Sequence, residues 1–181
     1  NVICLVGERG REVREFIEND LGTDGMKKSV LVVATSDRSP VEKVYAAGFA
    51  TSIAEYFRDQ GKNVNLFMDS LTRYCMAMRE IGIASGEQLG PGGYPPAVWH
   101  RLSRLVERSG ALKTGTITGF YAVLVEGDDL NDPVADNARG MLHGHIVLSR
   151  RLAARLHYPA IEIKESIFKV KDQVITQDFL D

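Results

Sequence analysis

The sequence predicts an α/β fold: a mostly parallel sheet with helices on both faces. Short apolar, β-rich runs alternate with longer segments of helical periodicity, which is how parallel sheets are wound. The early strand runs are almost wholly apolar, as strands covered on both faces require. The central helical segment opens on a strong capping signal. With 44% hydrophobic and 25% charged residues over 181 positions, the chain can bury a sizeable core.

The elements follow in order. The apolar run of residues 2–6 is the first strand. Val13, Phe16, Ile17 and Leu21 then recur at three- and four-residue steps, with Arg11/Glu15 and Arg14/Glu18 one turn apart on the other side and Gly22 and Gly25 as stops. Residues 29–35, centred on Val30 to Val33, read as a doubly covered parallel strand. Ser39-Pro40-Val41-Glu42 supplies a cap, a proline at the first helical position and a glutamate at the third, a capping box. Val44, Ala47, Ala50, Ile53, Ala54 and Phe57 form the buried stripe of that helix, which stops near Gly61. Residues 64–69 are the third strand and 71–83 the next helix. A Gly/Pro-rich loop spans 85–96, of a length that in compact domains is more often functional than incidental, with a mobile surface connection as the alternative. A helix over 97–108, a strand over 116–125 with an acidic turn after it, and strands at 146–148 and 160–163 complete the reading.

No repeat, low-complexity tract or linker interrupts the chain, so residues 1–181 are expected to form one domain. The 22 basic and 24 acidic residues leave a net charge of −2, which does not invite a polyanion, and no nucleic acid is expected as a partner. Cys4 and Cys75 have neither metal-site nor disulfide spacing and read as buried, reduced thiols. No membrane-spanning run or secretory signal is present, so the chain reads as cytoplasmic. Asn1 leads straight into an apolar strand without an initiator Met, so the chain reads as part of a larger protein.

Two features carry chemistry. Gly7-Glu8-Arg9-Gly10 stands where the first strand gives way to a helix, at the strand end where open parallel sheets bind ligands. A carboxylate there can orient or deprotonate a water beside a terminal phosphate, while cations offset the developing charge. Leu66-Phe67-Met68-Asp69-Ser70 is an apolar strand ending in Asp, the Walker B pattern, whose carboxylate orients magnesium, often through water. Each has a plainer alternative: Glu8-Arg9 as a solvated charge pair, Asp69 as the cap of the next helix. His143-x-His145 has no carboxylate or cysteine to complete a metal site, and the four histidines read as structural or surface groups.

Several segments, in register, carry a resemblance: Gly7-Glu8-Arg9-Gly10-Arg11-Glu12-Val13, Ala54-Glu55-Tyr56-Phe57-Arg58-Asp59, Met68-Asp69-Ser70-Leu71-Thr72-Arg73-Tyr74 and Gly93-Tyr94-Pro95-Pro96. From residue 2 to about 170 the chain resembles the F1-like ATPases, which have a RecA-like P-loop NTPase core. Val106-Glu107-Arg108-Ser109-Gly110 and the 144–152 segment look like the flagellar and type III protein-export branch. The resemblance implies Glu8 as the catalytic carboxylate, Arg9 beside it at phosphate or the subunit boundary, Asp69 as the Walker B acid for Mg2+, and Arg73 coupling the site to a neighbouring subunit. Tyr158 matches an aromatic that stacks on adenine; from the residues alone, a buried strand-edge tyrosine is the simpler account.

Two departures accompany these matches. No G-x-x-x-x-G-K-[ST] loop occurs: Lys28 follows Lys27 and Lys113 follows Leu112, so neither lysine sits in a glycine cradle for phosphate. In the family, the first strand, the Walker A loop and its helix lie upstream of the position of Asn1, and a C-terminal helical domain follows. Where the family has Ser-x-Ser-Arg, with an arginine finger for the next subunit, this chain reads Ser166-Ile167-Phe168-Lys169. Lysine lacks the planar fork that clamps phosphate at two points.

The resemblance implies a parent that hydrolyses ATP with Mg2+ to energise type III export, flagellar or virulence-type, releasing chaperones and unfolding cargo. It implies a homohexameric ring, a central stalk protein, a stator and chaperone–cargo complexes, at the cytoplasmic base of an export apparatus on the inner membrane. This fragment alone is expected to be inactive. The alternatives are a rotary F1/V1-type ATP synthase subunit and a catalytically impaired ring subunit that acts as a binding scaffold. A hexameric RNA helicase of the same fold is disfavoured, because the 85–96 loop carries Tyr94 but no Lys or Arg.

Overall fold

A computed structural model describes residues 1–129 and 131–171. The chain forms two compact units, Asn1–Leu124 and Val125–Asp181, although its sequence shows no linker between them.

In the first unit, β1 (Val2–Val6) is buried along its whole length. It leads into α1 (Gly10–Glu15), a π-helical stretch over Phe16–Leu21 and a short α2 (Gly22–Met26). Gly22, at φ 61°, breaks the helix where the sequence placed a stop, but a last turn resumes after it. β2 (Val30–Ala34) pairs in parallel with β1. Ser39 and Glu42 form the expected capping box of α3 (Pro40–Asp59). β3 (Asn63–Asp69) pairs with the other edge of β1, and α4 (Leu71–Ala84) follows. A loop with a 3-10 turn at Pro91–Gly93 leads to α5 (Pro96–Val106). A short antiparallel β4 (Gly110–Ala111) turns into β5 (Thr116–Tyr121), which runs parallel to β3. The sheet order is β2-β1-β3-β5-β4.

Strand alternation sends Ile3 and Leu5 to one face, where they pack with Val13, Phe16, Ile17, Leu21 and Leu31. Val2, Cys4, Val6, Leu66 and Met68 fill the other face, against which α3 packs, with α4 beside it. Helices therefore cover both faces, but unevenly. On the α1 face, Phe67 and Phe120 stack with ring centroids 4.9 Å apart and remain 38% and 48% exposed.

Three expectations need correction here. β2 is not doubly covered: it is an edge strand and Val33 is 41% exposed. An apolar run marks affinity for a sheet, not its place in one. The buried face of α3 is Ala46, Ala47, Ala50, Thr51 and Ala54; the larger Val44, Ile53 and Phe57 flank it half-buried, because the close approach to the sheet selects alanines. The strand expected to reach Val125 ends at Tyr121.

The second unit contains α6 (Pro133–Met141), β6 (Gly144–His145), α7 (Arg150–Ala153) and β7 (Ile167–Phe168), with β6 and β7 antiparallel. Asp132 caps α6 by accepting from the Val134 and Ala135 amides at 2.8 and 3.0 Å, a cap and N1 proline that the sequence reading left unassigned. The expected strands at 146–148 and 160–163 reduce to one bridge, Leu148 to Ile161, and a 3-10 turn at Ile163–Glu165. Ile146 and Leu148 are 68% and 71% exposed: β-rich runs become strands only where a sheet edge receives them.

Candidate active site

The site forms at the carboxyl ends of the parallel strands. β1 ends at Val6, and Gly7 turns the chain at φ 80°, with its N–H bonded to the Ala34 carbonyl at 2.7 Å. Only glycine suits this turn, because a Cβ here would stand 3.0 Å from both Cβ and Cγ of Arg73. Arg73 thus lies across the strand end that presents Glu8. Asp69 is the last residue of β3, in register with Leu5 of β1, so Glu8 and Asp69 leave adjacent strands at the same edge.

Ser70, not Asp69, caps α4, its hydroxyl accepting from the Arg73 amide at 3.3 Å. That removes the plainer account of Asp69 and leaves its carboxylate free of capping duty. Main-chain bonds from Leu71 to the Ala122 carbonyl (2.9 Å) and from Ala122 to the Met68 carbonyl (2.9 Å) hold this junction to the end of β5.

The electrostatics mark these residues as one cluster. Burial pushes the Glu8 carboxyl up, the Asp69 charge and a carboxyl–carboxyl hydrogen bond with Glu12 push the same way, and Arg73 opposes them. The Asp69 carboxyl is also raised by burial, again against Arg73. A cavity of ≈ 170 Å³ opens beside the cluster, lined by Gly7, Ser36, Lys43, Arg73 and Glu80 among others.

The structure therefore brings Glu8, Asp69 and Arg73 together. Arg9 is exposed at the N-cap position of α1 without a capping side-chain bond. Tyr158 and Lys169 belong to the second unit. The Tyr158 ring is 70% exposed. The Lys169 ammonium donates to the Arg139 and Leu142 carbonyls at 2.5 and 3.0 Å, closing the C-terminus of α6, and its N–H donates to His143 O at 2.8 Å. Sequence reasoning missed Glu12, although its i+4 spacing from Glu8 signalled proximity, and Lys43, which reads as an ordinary helix-surface charge.

A magnesium ion can be tested against this set. Asp69 Oδ1 is buried and has no hydrogen-bond partner among the described residues, which suits an acceptor for a metal-bound water. Among the described residues no three His, Cys, Asp or Glu side chains gather around a point. Magnesium takes one or two carboxylates and fills its remaining positions with water and phosphate oxygens, and Asp69 is the residue that would hold it. No helix among the described residues is long and apolar enough to cross a membrane.

Residues 1–167 match the model of the ATP synthase alpha/beta family, nucleotide-binding domain. The chain is 57% identical over 181 residues to the flagellum-specific ATP synthase of Bacillus subtilis (strain 168), covering 100% of this chain and 41% of that protein. It superposes with a TM-score of 0.94 and 52% identity on the assembled ATPase EscN of the enteropathogenic E. coli type III secretion system, covering 99% of this chain and 43% of that one. EscN in complex with its central stalk EscO gives a TM-score of 0.90 at 50% identity, covering 99% and 42%. The chain thus spans about two fifths of the length of these proteins.

Proposed function

Given that the chain belongs to the ATP synthase alpha/beta family, nucleotide-binding domain, we propose that its parent hydrolyses ATP to energise type III protein export, flagellar or virulence-type. The observation that carries this reading is the convergence of Glu8, Asp69 and Arg73 at one sheet edge, with Arg73 laid across Gly7. Similarity above 50% to a flagellar protein and to type III secretion proteins favours export over a rotary synthase role.

Glu8, when ionised, accepts a hydrogen bond from the attacking water and orients it, and can take its proton. Arg73 holds positive charge beside both carboxylates, where charge develops in phosphoryl transfer. Asp69 would hold Mg2+ through a water, and the ion when bound supplies charge neutralisation on the phosphate oxygens. Arg9, exposed beside Glu8, is available to phosphate or to a neighbouring subunit, and the exposed Tyr158 ring to an adenine face. Lys169 serves its own unit as a helix cap; a finger role would require release of both its carbonyl bonds.

The proposal includes a ring of like subunits, six as the family resemblance implies, around a central stalk; likeness to an assembled ATPase and to its complex with a central stalk supports the assembly. A stator, chaperone–cargo complexes and a cytoplasmic post at the inner-membrane base complete the proposal. The test is Glu8→Gln in the full-length parent. Turnover is expected to vanish while nucleotide binding, followed by fluorescent-analogue titration, stays within about threefold, as removal of a group used in the transition state requires. Unchanged hydrolysis would sink the role of Glu8.

A further inference from the structure

We propose that Lys43 is a positioning residue for Glu8, acting through the turn between β2 and α3; the proposal rests on the reading of Glu8 as the water-orienting carboxylate. Glu8 stands two residues beyond β1, where the ladder no longer fixes the chain. Its backbone is held instead by the Ser36 N–H, which donates to the Glu8 carbonyl at 2.8 Å, next to the bond from Gly7 to Ala34. Ser36 is itself exposed in a loop, and a loop transmits position only if it is tied.

The tie is the Lys43 ammonium, which donates to the Ser36 carbonyl at 2.9 Å. Ser36 is thus gripped at both its main-chain groups, by Lys43 on one side and Glu8 on the other. The rest of the turn is short and internally bonded: Arg38 N–H donates to Thr35 O at 3.0 Å, and the Thr35 hydroxyl donates to Asp37 Oδ1 at 2.5 Å. Lys43 is mounted rigidly. It sits in the first turn of the 20-residue α3, whose start is locked by the Ser39–Glu42 capping box, and its own N–H bonds to Ser39 O at 3.1 Å.

A donor on a fixed helix therefore sets the height of the turn from which the Glu8 main chain hangs. Lys43 also lines the cavity shared by Gly7 and Arg73, so the same side chain faces the strand end it steadies. Charge-assisted bonds of this kind are about twice as strong as neutral ones. A displacement of about 1 Å at a catalytic group can cost up to roughly 100-fold in rate.

The experiment compares Lys43→Met, which keeps the aliphatic stem and removes the donor, with Lys43→Arg, which keeps a donor, in the full-length parent with ATP and Mg2+. Lys43→Met is expected to lower kcat about tenfold with KM for ATP within about twofold and Tm unchanged, and Lys43→Arg to recover most of the loss. A wild-type kcat in Lys43→Met, a raised KM at unchanged kcat, or a loss that Lys43→Arg does not recover would overturn the proposal. Glu8→Gln run alongside separates the two readings. Turnover in Glu8→Gln removes the premise, whereas an inactive Glu8→Gln beside a fully active Lys43→Met rejects only the positioning role.

Discussion

Arg73 does two jobs that a sequence cannot separate. Its alkyl stem fills the space that a side chain at residue 7 would need, and its charge lowers the pKa of both Glu8 and Asp69. The sign of its effect on rate follows. In the proposed role Glu8 orients water only when ionised, and its carboxyl is raised by burial, by Asp69 and by Glu12, so kcat should fall as pH drops through a value above the ordinary glutamate pKa of about 4.3. Removing the opposing cation raises that value further. The acid limb of the kcat–pH profile of the parent is therefore expected to move to higher pH in Arg73→Ala, beyond any loss of rate at the plateau. Steady-state profiles from pH 5 to 9 check it, and a limb that stays put or moves to lower pH would show that Arg73 does not act on the ionised carboxylate. Glu8 and Asp69 were legible in the sequence because one closely follows an apolar strand and the other ends one. The Lys43–Ser36–Glu8 chain was not, because it runs from a lysine ammonium through the main-chain groups of a turn, which no residue type announces.

At the level of elements, α3 joins two segments that carried the family resemblance in the sequence. Glu55, from Ala54 to Asp59, meets Arg108, from the segment after α5: Arg108 Nε donates to Glu55 Oε1 at 2.8 Å, and its terminal nitrogen reaches Glu55 Oε2 and Ser52 Oγ. Arg58 of the same motif donates to the Arg108 carbonyl at 3.3 Å. The two motifs thus pin the C-terminal half of α3 to the turn before β4, a structural task. With side chains 26% and 32% exposed, the pair lies between the surface and buried limits, so Arg108→Ala is expected to cost about 2 kcal/mol in urea unfolding at pH 7. Arg108 holds the Glu55 carboxyl below its ordinary value, so this stabilisation is present above the unfolded glutamate pKa and is lost as pH falls through the lower folded value. The cost of Arg108→Ala should accordingly shrink in acid. A double mutant with Glu55→Ala that costs the full sum of the two singles would show that the contact is not coupled. The same scale shows where sequence reading holds. α3, α4 and α5 were found because capping and periodicity are local, and β1 and β3 because their runs are short and apolar. The strands expected at 146–148 and 160–163 failed because pairing needs a distant partner, and the edge position of β2 was invisible for the same reason.

For the whole molecule the question is whether these 181 residues contain a working site. Glu8, Asp69 and Arg73, proposed above as the water-orienting carboxylate, the Walker B acid and the cation beside them, share one end of the sheet. Elsewhere in the sequence no lysine stands in a G-x-x-x-x-G-K-[ST] loop, the motif whose row of backbone amides cradles the β- and γ-phosphates. Positioning and charge neutralisation are nearly all that a protein contributes to phosphoryl transfer, so loss of the cradle removes substrate placement, which the remaining groups cannot replace. The sheet tells a parallel story, since the stacked Phe67 and Phe120 remain half-exposed on a face that α1 covers only in part. The chain spans about two fifths of the length of the proteins it matches. We therefore expect no ATPase activity above background from the purified 181 residues and saturable, Mg2+-dependent hydrolysis from the full-length parent, both followed by phosphate release at equal site concentration. Saturable turnover by the 181 residues alone would mean that phosphate is held here by groups other than a glycine-rich loop. Arg73 and Lys43, the two cations lining the cavity beside Gly7, would then be the first to replace.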